Sequence, residues 1–266
     1  MLSDAPLPLL TLTPVCWGSP VEIRTSRQPN LSPHSGTGVI RWMEGLVERA
    51  GASRRLPPAR ILNIVLALLA LITLFPVLLF IALLVRLTSR GPVLYTQTRV
   101  GLDRREPLDG SKNHRREQDL GGEPFTIYKF RTMRVDAEQS SGAVWAQQRD
   151  PRVTAVGGVL RQYRLDELPQ LLNVLRGEMN IVGPRPERPT IFAELREHIA
   201  EYPLRQRAKP GITGLAQINH HYDRSVDDVR TKVQYDLEYI RRQSVAEDLR
   251  IMLKTVPVIL WRRGGW

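Results

Sequence analysis

From Ile61 to Val85 the chain reads ILNIVLALLALITLFPVLLFIALLV, with no charged side chain. As one helix these roughly 25 residues would reach about 37 Å, enough for a ~30 Å hydrocarbon core. No other segment has this character. Pro76 stands in its interior, where the missing N–H and the ring clash kink or break a helix. Broken there, the arms measure about 22 Å and 15 Å, each too short to span alone. Both flanks are basic, with Arg54, Arg55 and Arg60 before and Arg86 and Arg90 after, whereas a spanning helix usually carries its positive charge on one side. A re-entrant hairpin with two cytoplasmic ends accounts for these features. A proline-kinked single span accounts for them equally, because membrane helices tolerate proline.

Beyond Gly91-Pro92, alternation predicts short strands at Val93 to Gln97 and Phe125 to Phe130. Between them Asp103 to Gly122 is a polar loop of mixed charge, long enough to be mobile or functional. A helix is expected from about Asp166 to Arg176, where Leu168, Leu171, Leu172 and Leu175 form a stripe and Gly177 supplies a stop. Further helices are expected over Pro189 to Tyr202, Asp227 to Arg242 and Val245 to Leu260, with a turn at Lys209 to Gly214. In the last helix Leu249, Met252, Leu253, Val256 and Leu260 lie among Arg250 and Lys254, with Arg262 and Arg263 just beyond; this fits contact with anionic lipid or packing on a core. Residues 1–58 are rich in Pro, Ser and Gly, hold one short periodic stretch at Val39 to Val47, and read as a largely disordered extension. They lack the basic-then-apolar order of a signal peptide, and Met43 is an alternative start.

The formal charge of +11 calls for an anionic partner: nucleic acid, acidic lipid or a phosphate-bearing substrate. No nucleic-acid module is recognisable and few aromatics interleave with the basic residues, which argues against nucleic acid. With Cys16 as the only cysteine, neither a disulfide framework nor a multi-cysteine zinc site can form.

Chemistry concentrates in four strings. In Arg161-Gln-Tyr-Arg164-Leu-Asp166-Glu167-Leu-Pro169-Gln170 two adjacent acids open a helix directly after two arginines. A helix N-terminus favours ionised carboxylates, and such a group can attack phosphorus or ligate Mg²⁺ while arginines hold phosphates. The plainer alternative makes Asp166 an N-cap and Glu167 a first-turn acid. Gly183-Pro184-Arg185-Pro186 sets an arginine between rigid prolines, as an anion clamp or as a plain turn. Tyr128-Lys129-Phe130-Arg131-Thr132 places cations on and after a strand, and Lys209-Pro210-Gly211-Ile212-Thr213-Gly214 offers turn N–H groups that could meet phosphate. His220-His221 reads as a polar loop, since adjacent residues diverge and no third ligand stands nearby.

Taken together, GPVLYTQTRVG, FTIYKFRTM, DPRVTAVGGVLR, RLDELPQLLNVLRGEMNIVGPRP and KPGITGLAQIN, in this order between about Arg60 and Leu260, resemble the bacterial sugar transferase family. These are monotopic polyprenyl-phosphate phosphoglycosyl transferases that initiate polysaccharide and glycoconjugate assembly. The resemblance implies that Asp166 is nucleophile and magnesium ligand, with Glu167 its dyad partner. It implies that Lys129 and Arg161 bind phosphate, that Arg185 contacts the nucleotide or its phosphate, and that Pro76 breaks a re-entrant helix, which favours the hairpin. The chain departs from the common pattern at Asn63 (often Asp), Phe75 (often Ser), Leu215 (often Trp) and His220 (often Gly), and Asp103 to Gly122 looks like an insertion.

The expected fold class is α/β: a membrane-anchored, helix-rich catalytic domain with a re-entrant helix-break-helix and a small β element. The expected division is a disordered extension over 1–58, a membrane hairpin over 59–90 and a cytoplasmic catalytic domain over 91–266. The function implied is transfer of a sugar-1-phosphate from a UDP-sugar to polyprenyl (undecaprenyl) phosphate at the inner membrane, with Mg²⁺ and contact with membrane lipids. Self-association is left open. The rival from another class is a catalytically silent membrane scaffold of a polysaccharide assembly complex. The sugar itself is not legible, because epimers differ by a few hydroxyl contacts.

Overall fold

The computed structural model describes residues 57–104, 121–135, 137, 150–220 and 226–261. The readings for residues 1–56, including Val39 to Val47 and Met43, for the interior of the 103–122 loop and for His221 lie outside the described residues.

Two apolar helices come first, α1 (Pro58–Thr73) and α2 (Phe75–Thr88). Pro58 begins α1 at a position that needs no N–H donor. The chain leaves the helix at Leu74 (φ −90°, ψ 1°), and the two helices meet at a bend of 62°. The sequence puts the break at Pro76; it falls two residues earlier, which seats Pro76 in the first turn of α2, where its missing N–H costs nothing. No single helix among the described residues is long and apolar enough to cross a membrane, whereas the bent pair together meets that criterion by length and composition.

An antiparallel hairpin follows, β1 (Leu94–Val100) and β2 (Pro124–Phe130), in register Tyr95 to Lys129 and Arg99 to Phe125. β1 runs three residues beyond its predicted end because Thr98, Arg99 and Val100 still find partners on β2. Lys129 shares the parity of the buried Phe125 and Ile127 and therefore points to the covered face of the sheet.

The acidic pair does not open one long α-helix. Helix α3 (Ala155–Gln162), capped by the Thr154 side chain on the Gly157 N–H, ends near Tyr163. Arg164 then takes a left-handed conformation (φ 54°), alone in this among the non-glycine described residues. Residues Leu165–Gln170 form a 3-10 helix before α4 (Leu171–Arg176). Pro169 cannot donate back to Leu165, so the α ladder starts only after it. Gly177 stops α4 in the left-handed region as expected. Arg60 caps that end by donating to the Val174 carbonyl at 2.5 Å and the Leu175 carbonyl at 2.9 Å, a use for a flanking charge that the sequence did not reveal.

Strand β3 (Asn180–Val182) runs parallel to β4 (Gly211–Thr213), a pairing of segments too short to show in sequence. Their junction explains the glycines of two of the strings. A Cβ on Gly183 would stand 2.3 Å from the Lys209 carbonyl, and one on Gly211 would stand 2.1 Å from the Gly183 nitrogen. The Gly211 N–H donates to the Pro184 carbonyl and the Gly183 N–H to the Thr213 carbonyl. The Lys209 turn therefore splices two backbones and does not offer these N–H groups to phosphate. Helix α5 (Pro189–His198), a 3-10 helix Tyr202–Arg207, and helices α6 (Leu215–Asn219), α7 (Val226–Arg242) and α8 (Val245–Leu260) complete the fold.

Three apolar clusters hold these elements. Ala67 of α1 packs with Phe125, Ile127, Leu171, Val174 and Met179. Ile81 and Val85 of α2 pack with Phe130 and Leu160. Val100 and Tyr202 join α5 to α7. The first cluster holds Leu171, directly after the 3-10 helix that carries the acids, and the second packs against Leu165 and Leu168 within it. The result is helix-rich with small sheets, in keeping with the α/β expectation, although the strands form two separate pairs.

Candidate active site

Glu167 lies at the centre of a cluster of cations. Its Oε1 accepts from Lys129 Nζ at 2.8 Å and from Arg185 Nη2 at 2.7 Å, and its Oε2 faces Arg185 Nη1 at 3.4 Å and Arg164 Nη1 at 3.7 Å. Burial alone would raise this carboxyl, but Arg185, Lys129 and Arg164 outweigh it and hold the pKa well below the usual carboxylate range. Lys129 is pulled below its ordinary value by burial, against the attraction of Glu167. Arg185 is pushed up, chiefly by Glu167.

Asp166, its neighbour in sequence, has the opposite environment. It is 8% exposed, and among the described residues no donor lies within hydrogen-bond reach of its carboxylate. Burial first, and then the Glu167 charge, push its pKa up to about 6, opposed by Lys129, Arg161 and Arg185. One acid is thus fully engaged and the other is ionisable near neutrality with both oxygens available. Asp166 is not an N-cap, since no side chain caps the 3-10 helix, whereas Glu167 does lie in the first turn, as does Asp166.

The five expected site residues of the catalytic portion fall in one neighbourhood: Glu167 contacts Lys129 and Arg185, and the charges of Lys129, Arg161, Arg185 and Glu167 act on Asp166. Arg161, on the last turn of α3, forms no ion pair with any described residue. Pro76 lies apart from the cluster, at the helix bend. Arg131, in the same string as Lys129, does not join the site. It is buried and donates to the Ser89 carbonyl at 2.7 Å and to Ser89 Oγ at 2.6 Å, pinning the end of α2.

Sequence reasoning missed two contributors, Arg99 and Arg205, and the backbone conformation of a third, Arg164. Arg99 on β1 donates to the Pro186 carbonyl at 3.1 Å and adds positive charge beside Lys129. Arg164 was visible in its string, but not its left-handed backbone, which turns the chain so that both acids follow at once. Arg205, 5% exposed, donates to Asp236 at 2.6 Å, to the Tyr202 hydroxyl at 2.7 Å and to the Arg185 carbonyl at 3.1 Å. It fixes the loop that presents Arg185. Tyr202 is three residues away, but Arg185 and Asp236 stand 20 and 31 residues away, so no local pattern could reveal its place behind the site.

The donor set suits Mg²⁺ in one respect. Among the described residues there is no cluster of three or more His, Cys, Asp or Glu, so a protein-only cage is lacking. Mg²⁺ bound to phosphates needs only one or two carboxylates from the protein. Asp166 has a carboxylate to offer, whereas Glu167 is engaged by cations.

The model of the family described as bacterial sugar transferase matches residues 57–262. The chain belongs to the bacterial sugar transferase family. It is 44% identical over 209 residues to the UDP-glucose:undecaprenyl-phosphate glucose-1-phosphate transferase of Escherichia coli (strain K12), covering 78% of this chain and 40% of that protein. It is 40% identical over 204 residues to the UDP-N-acetylgalactosamine-undecaprenyl-phosphate N-acetylgalactosaminephosphotransferase of Aeromonas hydrophila, covering 77% and 44%. With the exopolysaccharide production protein ExoY of Sinorhizobium fredii (strain NBRC 101917 / NGR234) it shares 36% identity over 244 residues, covering 86% and 92%. The chain thus spans less than half the length of the first two relatives and nearly all of the third. As a family member it has Asn63 where Asp is common. The Asn63 side chain donates to the Ala59 carbonyl and accepts from the Ile181 N–H, both at 2.6 Å, tying α1 to β3.

Arg161 affords a clean separation of catalysis from folding. Because it has no ion-pair partner among the described residues, Arg161→Ala should change stability by no more than about 0.5 kcal/mol. If Arg161 holds a substrate phosphate, kcat/KM should fall roughly 100-fold, the worth of a charge-assisted contact. Steady-state kinetics beside a melting curve checks this; an unchanged kcat/KM would remove Arg161 from the site.

Proposed function

We propose that this sugar transferase moves a sugar-1-phosphate from a UDP-sugar to undecaprenyl phosphate and so initiates exopolysaccharide or glycoconjugate assembly. The observation that carries the reading is the contrast within the dyad: an unengaged, buried Asp166 beside a Glu167 saturated by Lys129 and Arg185. An Asp166 carboxylate oxygen attacks the β-phosphorus, a P–O bond forms to Asp166, and the bridging P–O bond breaks with UMP as leaving group. A phosphate oxygen of the acceptor then attacks the same phosphorus. The acyl-phosphate bond breaks, and the Asp166 carboxylate is regenerated with release of the polyprenyl diphosphate sugar.

Each residue has a stated task. Glu167 keeps Lys129 and Arg185 charged and aimed, and these cations with Arg161 neutralise phosphate oxygens that a carboxylate nucleophile would otherwise repel. Mg²⁺, held by Asp166, would supply further neutralisation of phosphate charge. Incubation with UDP-sugars and Mg²⁺, without acceptor, should release UMP and leave a phosphosugar adduct visible in the intact-protein mass. A protein that binds UDP-sugar yet gives neither product favours the scaffold reading.

Anchoring on the cytoplasmic face by α1 and α2 belongs to the same proposal. At 16 and 14 residues the two helices measure about 24 Å and 21 Å, each short of a ~30 Å core. Ile72, Phe75, Leu79, Phe80 and Leu87 are each at least 60% exposed, an apolar surface that water does not favour. On α8, Leu253 and Leu260 are 73% and 65% exposed, so that stripe is not packed on the core. In a Cys16→Ser background, single cysteines at Ser53 and Ser89 should both resist an impermeant thiol reagent in intact cells and react once the membrane is opened. Labelling at Ser53 alone in intact cells would establish a spanning helix instead.

A further inference from the structure

Beside the dyad lies a cavity of about 300 Å³, at the lower end of the range for small-molecule sites. Arg164 and Glu167 are among its lining residues, together with Leu168 on the 3-10 helix, Ile212 on β4 and Val258 and Ile259 on α8. Its surface is almost wholly carbon. We propose that this cavity takes the first isoprene units of the polyprenyl acceptor, with its phosphate at Arg164.

Three observations converge on that occupant. The two charged residues that line the cavity belong to the catalytic cluster, where Arg164 faces Glu167 at 3.7 Å. A ligand with a phosphate head and an apolar body matches this polarity, whereas a nucleotide sugar would bury hydroxyls and amides against carbon. Helix α8, which lines the cavity through Val258 and Ile259, also carries the exposed Leu249, Leu253 and Val256. One helix thereby joins the cavity to a surface suited to lipid, which gives a long chain a dry path out. Leu165 and Leu168, which border the cavity, also pack against the cluster that Ile81 and Val85 of α2 form with Phe130 and Leu160. The apolar hairpin and the cavity thus share one wall.

This inference rests on the transferase reading above, and the two can fail separately. Ile259→Trp fills the cavity without adding charge. In full-length protein in nanodiscs it should still form the phosphosugar adduct from UDP-sugar, since the donor half-reaction does not enter the cavity. Transfer to undecaprenyl phosphate should fall roughly tenfold in kcat/KM, the factor that losing two buried methylenes would give. Transfer to a short-chain prenyl phosphate, whose first units enter the same cavity, should fall by a similar factor. Equal rates for native and variant protein with the long-chain acceptor overturn the cavity assignment, whereas absence of adduct in the native protein overturns the transferase reading itself. Should Ile259→Trp not fold, native protein can be irradiated with a benzophenone-bearing prenyl phosphate. The label should fall within Val245–Leu260 and be displaced by undecaprenyl phosphate; a label displaced only by phospholipid, or lying on other peptides, refutes the proposal.

Discussion

Asp166→Asn should leave a folded protein that forms no adduct and turns over at least roughly 10⁴-fold more slowly, the scale on which loss of a covalent nucleophile acts. The amide is close in shape to the carboxylate but is neither a competent nucleophile nor a good magnesium ligand. Stability should move the other way. A carboxyl raised from 3.8 to about 6 by burial and by Glu167 favours the fold below pH 3.8, and that advantage is lost as pH rises through about 6. At pH 7 the buried charge therefore costs stability, and the neutral amide should raise it by on the order of 1 kcal/mol. A variant both dead and slightly more stable marks a site where function opposes folding. In the native protein without divalent metal, adduct formation should climb as pH rises through about 6 and then level off, because only the carboxylate attacks. An active Asp166→Asn variant would dismiss the nucleophile assignment outright.

Glu167→Ala should be destabilising as well as nearly inactive. Lys129 is 16% exposed at the side chain and Arg185 38%, so removing their common partner leaves one largely buried and one partly hydrated cation without compensation. A loss of about 2–4 kcal/mol is expected, below the full figure for a wholly buried pair because water reaches Arg185. Glu167→Gln isolates the electrostatics. With the neighbouring negative charge gone, the Asp166 carboxyl should titrate lower, and the rising limb of adduct formation should move below pH 6 in mass-spectrometric rate measurements. A limb that stays in place would show that the two carboxyls do not act on each other, and the division of labour within the dyad would fall.

The uncharged run around Pro76, the two-strand pattern near Lys129 and the last two helices were legible because each rests on local periodicity. The boundaries of α8 coincide with those expected, and α7 differs by one residue. The break at Leu74 and the 3-10 form of Leu165–Gln170 were not legible, though both follow from prolines in plain view. A proline forbids certain hydrogen bonds, but which neighbouring residue yields depends on the packing around it. The adjacent acids and the arginines were equally visible as candidates. Sequence could not divide their roles: Asp166 and Glu167 differ by one methylene and one position, yet one is pushed up and the other held down. That difference comes from Lys129 and Arg185, brought from 38 and 18 residues away, and from Arg205 behind them. Helix and strand periods are properties of neighbouring residues and can be read along the chain. The charge state of a buried carboxyl is set by desolvation and by distances between remote segments, and those exist only once the chain has folded.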